Sequence, residues 1–242
     1  IMMKSILNKI LSFFILLIFF PLFSLLLMLV IVSSYVTHPK NTYPIFVPIG
    51  AKLIMLSGLQ LFSVKGNIPP KEDGPYLFMF NHESMFDVLM LGGAIPYYIN
   101  AVGWEGIFKI PLFGYMAKRY GAYSITHDNT DKAKVTLKAA EKILLIDKTS
   151  MVLSPEGQRT ITGEMGEFKK GGFHFAKATN ATIIPVGLIG AYRANKRTSW
   201  QINPGRLTTV FGDPITCDQY ANMSVEELRD LTKNKISDLI KA

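Results

Sequence analysis

A single cysteine, Cys217, occurs in 242 residues. No disulfide can close within the chain and no zinc site can rest on thiolates, which fits a reducing compartment. Acidic residues are missing from positions 1–65, which hold Lys4, Lys9, Lys40, Lys52 and Lys65. That end carries +5 of the net +8, leaving 8 − 5 = +3 for the remainder. A nucleic-acid binder needs a basic face on its folded domain, so the distribution argues against nucleic acid and for an anionic membrane surface. Residues 10–37 contain no charged side chain. There is no Gly-x-Ser-x-Gly elbow and no His-Glu-x-x-His pair, so neither a serine nucleophile of that kind nor a helical zinc site is expected. Of the four histidines, His38, His127 and His174 lack partners at useful spacing, and no metal ligand set is expected.

The uncharged stretch is rich in Leu, Ile and Phe. At ~1.5 Å per residue it reaches about 40 Å, more than the roughly 30 Å core of a bilayer. It lacks the short apolar core and small-residue cleavage site of a secretory signal. A second apolar stretch, Pro44 to Phe62, follows the polar turn His38-Pro39-Lys40-Asn41. Two readings stay open: one spanning helix followed by an interfacial helix, or a two-helix hairpin entering one leaflet with Pro21 bending its first arm. Basic residues flank both ends, so the positive-inside rule does not choose. Residues 65–75 are dense in Gly, Pro and charge, which puts a membrane anchor at 1–64 and a folded domain at 65–242.

Beyond that linker, short apolar runs alternate with amphipathic segments. Strands are expected at Tyr76–Phe80, Tyr98–Val102, Ala122–Ile125, Met151–Leu153, Thr182–Leu188 and Leu207–Phe211. Helices are expected at Met85–Gly93, Leu112–Tyr120, Thr130–Ile146, Gly172–Thr179 and Val225–Ile240. Ser224 and Glu227, three apart, read as the capping box of the last helix. The alternation implies an α/β fold, a layered, mostly parallel sheet flanked by helices.

Four short blocks carry chemistry. Directly after the first strand stands Asn81-His82-Glu83-Ser84-Met85-Phe86-Asp87. A neutral imidazole can take a proton from an alcohol, and a carboxylate behind it fixes the tautomer and steadies the imidazolium. The strand would deliver His82 to the carboxyl edge of the sheet, and Ser84 could cap the helix that follows. With no nucleophile elbow, the attacking group would be a hydroxyl of the substrate. The second block is Phe108-Lys109-Ile110-Pro111-Leu112-Phe113-Gly114, with Lys109 near a helix start, where anions gather. The third is Ser154-Pro155-Glu156-Gly157-Gln158-Arg159-Thr160, followed by Glu167-Phe168-Lys169-Lys170-Gly171-Gly172. Its glycine lets backbone approach a ligand, and its guanidinium matches phosphate bidentately. Glu156 could hold Arg159 or an acceptor hydroxyl. The fourth, Ile183-Ile184-Pro185-Val186-Gly187, has a proline that argues for a strand edge and against a mid-sheet strand.

In this order and spacing the four blocks resemble the glycerolipid acyltransferase family, typified by the lysophosphatidic acid acyltransferases, over about residues 64–215. The resemblance implies His82 as general base with Asp87 orienting it. It implies an acceptor site from Asn81, Lys109, Glu156, Gly157, Arg159, Lys169 and Lys170, with Arg159 on a phosphate and Asn81 supporting the turn. It further implies transfer from acyl-CoA or acyl-carrier protein to the sn-2 hydroxyl of 1-acyl-glycerol 3-phosphate, no metal or prosthetic cofactor, an oxyanion held by backbone N–H groups near Gly157, and a cell-membrane enzyme facing the cytoplasm. Two departures stand out. Gly103-Trp104-Glu105-Gly106 carries an acid and an aromatic where many members have Lys or Arg, and Gln158 stands where Thr is usual. They leave other acceptors open, namely another lysophospholipid, a lyso-aminolipid or glycerol 3-phosphate, beside a non-catalytic lipid-binding role. Met85, Phe86, Met90 and Leu91 could line an acyl groove, though core packing is the commoner task for such side chains.

Overall fold

The computed structural model describes residues 2–125, 138 and 140–241. It opens with two apolar helices, α1 (Met2–Val36) and α2 (Pro39–Ser57). His38 ends the turn between them, its Nδ1 accepting the Lys40 N–H at 3.1 Å, and Pro39 occupies the first helical position. By length and composition, residues 6–36 of α1 could cross a bilayer. The helix nevertheless lies against the rest of the chain along most of its length. Ser12 donates to Ile202 O at 3.0 Å, Phe19 meets Phe86 edge-on, Phe23 stacks on Phe113, and Arg119 donates to Ser34 O at 2.7 Å.

The strands are β1 (Gln60–Lys65), β2 (Tyr76–Phe80), β3 (Asn100–Trp104), β4 (Tyr123–Ile125), β5 (Met151–Leu153), β6 (Thr182–Ile189) and β7 (Gly205–Phe211). They form one seven-stranded sheet in the order β1-β7-β6-β2-β5-β3-β4. All pairings are parallel except β6 with β7, so the mostly parallel sheet is as expected. The helices after α2 are α3 (Phe86–Ala94), α4 (Phe113–Arg119), α5 (Gly171–Thr179), α6 (Ala191–Ala194), α7 (Cys217–Tyr220) and α8 (Val225–Lys241). Residues 140–145 are helical too; the start of the helix expected at Thr130–Ile146 lies outside the described residues. The capping box holds: Glu227 N–H donates to Ser224 Oγ at 3.1 Å, and Ser224 N–H to Glu227 Oε2 at 2.6 Å.

Two features differ from the sequence expectation. The boundary at 64/65 falls inside β1, which pairs with β7, so the sheet begins at Gln60. Read as sequence, β1 continues the apolar run of α2. Pro185 sits in a central strand, between β2 and β7, rather than at an edge. Its missing donor costs little there. Pro185 O accepts from Gly212 N–H at 2.9 Å and the neighbouring contact of β6 is Ile183 with Ile215, so the ring nitrogen faces the gap between those two rungs.

Alternation along β2 separates two cores. Tyr76, Phe78 and Phe80 pack with α3 and the helical hairpin, through Phe19, Met55, Phe86 and Met90. Leu77 and Met79 pack on the other side with Phe173, Leu228 and Ile236. The hairpin and α8 therefore lie on opposite faces of one sheet. Phe86, Met90 and Leu91 are core residues, and Met85 is exposed.

Candidate active site

Strands β2, β5 and β6 run parallel, so their carboxyl ends meet at one edge, and the blocks at 81–87 and 154–160 leave the sheet there. The link from β2 to α3 is held by one carboxylate. Asp87, fully buried, uses Oδ2 to accept the N–H groups of Glu83 at 2.8 Å and Ser84 at 3.0 Å, and it meets His82 Nδ1 at 2.6 Å. The five-residue spacing has this physical origin: an acid in the first turn of α3 reaches back over the orphan donors ahead of the helix. Asp87 rather than Ser84 takes that role. The Ser84 hydroxyl donates to Asn195 O at 2.8 Å and only grazes the Phe86 N–H, at 3.4 Å. With Nδ1 on Asp87, His82 keeps Nε2 for a reacting group, and its side chain is 24% exposed, enough to be reached.

Asn81 and Glu156, expected at the substrate, line the cavity beside His82 and also brace this link. Asn81 exchanges two hydrogen bonds with Leu188, donating to its carbonyl at 2.9 Å and accepting its N–H at 2.7 Å, as one more rung of the β2–β6 ladder. Glu156, also buried, accepts the His82 N–H and the Gly166 N–H, each at 2.7 Å. It thus ties the block after β5 to the histidine backbone and does not hold Arg159. Thr160 N–H donates to His82 O at 2.8 Å and closes the same clamp. Gly157 has φ 73°, the left-handed turn that favours glycine, but its N–H donates to Ser154 O at 3.2 Å. An oxyanion donor at that nitrogen, as expected from the sequence, would have to give up this turn bond.

The cations divide into two groups. Arg159 is half-buried beside Arg197, which donates to Arg159 O at 3.0 Å. Burial, then the Arg197 charge, lowers the Arg159 pKa, while Asp87 opposes them. Two neighbouring guanidiniums, one of them half out of water, make a seat for an anion. Lys109, Lys169 and Lys170 are exposed, and none lines the cavity at His82. Lys109 pairs with Glu105 at 3.6 Å, Lys170 with Glu226, and Lys169 anchors its loop through its backbone N–H on Pro155 O at 2.8 Å.

Sequence reasoning assigned Glu83 no role at the site. Its buried carboxyl accepts from Tyr192 N–H at 2.9 Å and Asn81 Nδ2 at 3.2 Å. Burial first, and the charges of Asp87 and Glu156 as well, push its pKa up to about 7 against the pull of the Tyr192 N–H. The available signal was an acid between two apolar elements, beside the candidate base. Arg197 and Tyr192 gave no such signal, because they come from the far side of β6.

An imidazole–carboxylate pair thus stands at the carboxyl edge of a largely parallel α/β sheet, with a guanidinium pair next to Thr160, whose N–H closes on His82 O. The family model described as Acyltransferase matches residues 61–189, more than half of the chain. The chain belongs to this Acyltransferase family. It is 27% identical over 230 residues to 1-acyl-sn-glycerol-3-phosphate acyltransferase of Salmonella typhimurium, an alignment covering 89% of this chain and 93% of that protein. Proteins of the same name from Cocos nucifera and Saccharomyces cerevisiae are 28% and 25% identical over 60% and 69% of this chain. These matches span 47% and 56% of those two proteins, about half their length. The crystal structure of the 1-acyl-sn-glycerophosphate (LPA) acyltransferase PlsC from Thermotoga maritima superposes with a TM-score of 0.82 at 20% identity, covering 96% of this chain and 95% of that one. At that identity the likeness is one of fold.

Proposed function

We propose that the chain transfers an acyl group from acyl-CoA or acyl-carrier protein to the sn-2 hydroxyl of 1-acyl-glycerol 3-phosphate, giving phosphatidic acid. The observation that carries this reading is the 2.6 Å contact of His82 Nδ1 with a fully buried Asp87, which leaves Nε2 for the acceptor hydroxyl. Nε2 takes the hydroxyl proton as the oxygen attacks the thioester carbonyl, and Asp87 steadies the imidazolium. A carbon–oxygen bond forms, the carbon–sulfur bond breaks, and the departing thiolate takes the proton back from His82. The acceptor phosphate sits on Arg159 and Arg197, whose paired charges favour a dianion. No step calls on a metal or a prosthetic group.

The hairpin supports a membrane setting. Its outward side chains, Phe13, Phe14, Leu17, Ile18, Ile45 and Ile49 among them, are more than half exposed. Because α1 is bonded to the domain from Ser12 to Ser34, the reading we favour is a hairpin lying in one leaflet, with the domain at the headgroup plane on the cytoplasmic side. Arg159 with Arg197 favours a phosphate-bearing acceptor, without choosing between lysophosphatidate and glycerol 3-phosphate. Thiol release from one thioester, measured in detergent with each acceptor in turn, separates them. Faster release with lysophosphatidate supports the proposal; faster release with glycerol 3-phosphate moves the reaction to that acceptor.

A further inference from the structure

Beside His82 the sheet edge opens into a cavity of about 200 Å³, bounded by Glu83, Glu156, Met165, Ser237 and Ile240 among others. We infer that this cavity holds the neutral, amide-bearing arm through which the acyl donor carries its thioester; the inference rests on the acyl-transfer reading above. Position is the first argument. The last turn of α8 forms one wall, and α8 packs so closely on β6 that a Cβ at Gly187 would meet Leu239 Cβ at 2.9 Å. This is the face turned away from the apolar hairpin. A lipid acceptor arrives from the hairpin side, whereas a water-soluble carrier reaches the site from solvent. His82 borders both approaches, with its ring 5.8 Å from that of Phe80 on the hairpin face.

Charge is the second argument. Three acids, Glu83, Glu156 and Glu164, and one cation, Lys241, line the cavity, while Arg159 and Arg197 stand outside its walls. The guanidinium pair, not this mixed lining, is the seat for an anionic headgroup, so the headgroup and this cavity are separate subsites. The apolar and hydroxyl groups of Met165, Ile240, Ser237 and Thr160 suit an uncharged chain of methylenes and amides. A donor arm entering past α8 brings its carbonyl to His82 from the side opposite the attacking hydroxyl. The leaving thiolate then stays within reach of the proton on Nε2.

Filling the cavity tests this. In Ile240→Trp the KM for the acyl thioester rises about tenfold, while the KM for 1-acyl-glycerol 3-phosphate stays within roughly twofold. A rise in the acceptor KM instead, or no change in either from a variant that melts like the wild type, overturns the inference. A second measurement needs no turnover. With Cys217→Ser as background, Ser237→Cys is alkylated by a maleimide with and without S-methyl phosphopantetheine, the arm common to coenzyme A and acyl-carrier protein. Slower alkylation in its presence is expected, with no slowing by lysophosphatidate; equal rates overturn the inference. If the wild type moves no acyl group to any lipid hydroxyl, the transfer reading fails while the protection result stands, so the two failures are told apart.

Discussion

The first helix, α1, and the last, α8, lie on opposite sides of one sheet and present unlike surfaces to the outside. The outer side of α1 is a band of exposed Phe, Ile and Leu. That of α8 carries Glu226, Asp230, Asn234, Asp238 and Lys241. Both bury apolar residues toward the domain, Phe19 on one face and Leu228 with Ile236 on the other. The difference therefore lies in the medium each helix meets. Burial of Phe-rich surface in lipid recovers about 25 cal/mol per Å², whereas the charges of α8 keep their hydration only in water. The candidate site sits at the seam between the two faces, where the proposed transfer from a water-borne donor to a lipid would need it.

This contrast can be broken by exchanging surface chemistry. Phe13→Ser, Phe14→Ser and Ile18→Ser together should weaken vesicle binding by about 4 kcal/mol, roughly a thousandfold in flotation assays. Asp238→Ser on α8 should leave it unchanged. Equal losses from both would mean that α1 holds no privileged contact with lipid.

The seam itself is tested through Glu83. Its carboxyl titrates at about 7 in the fold against an ordinary 4.5, so between those values the folded state binds more protons than the unfolded one. Stability attributable to this group therefore falls as pH rises through that window. Glu83→Gln removes the dependence. Its stability relative to the wild type should climb between about pH 5 and pH 8, toward a ceiling of about 3 kcal/mol, in paired denaturant melts. A pH-independent difference would place the carboxyl in a more solvated setting.

Smaller effects sharpen the division among the cations. Arg159→Ala should raise the acceptor KM by about 1.5–3 kcal/mol, or roughly 10- to 100-fold, with the thioester KM unmoved. Lys170→Ala removes only an exposed pair with Glu226 and should leave both the melting transition and the kinetics unchanged. A large kinetic loss there would return Lys170 to the acceptor site.

The central strands and the helices after them were legible because each is a local pattern: β2 and β5 begin and end where the apolar runs do. The His82–Asp87 contact was legible for the same reason, since a helix start brings such a spacing together. Asn81 and Glu156 were legible as site residues, but their bracing contacts were not. Their partners, Leu188 and the backbone of His82 with Gly166, come from segments distant in sequence. The contacts of the long cationic side chains were not legible. Lys109, Lys169 and Lys170 are exposed, and Lys170 found an acid on α8 that no local reading connects to it. The closeness of Arg197 to Arg159 depends on how the loop after α6 folds back, which only the assembled sheet decides.

Most direct is the turnover of purified His82→Ala against the wild type at saturating thioester and lysophosphatidate. The account predicts a fall in kcat of about 10³-fold, within the 10²- to 10⁴-fold of general-base catalysis, with vesicle binding and melting unchanged. Turnover within a few-fold of the wild type would contradict it.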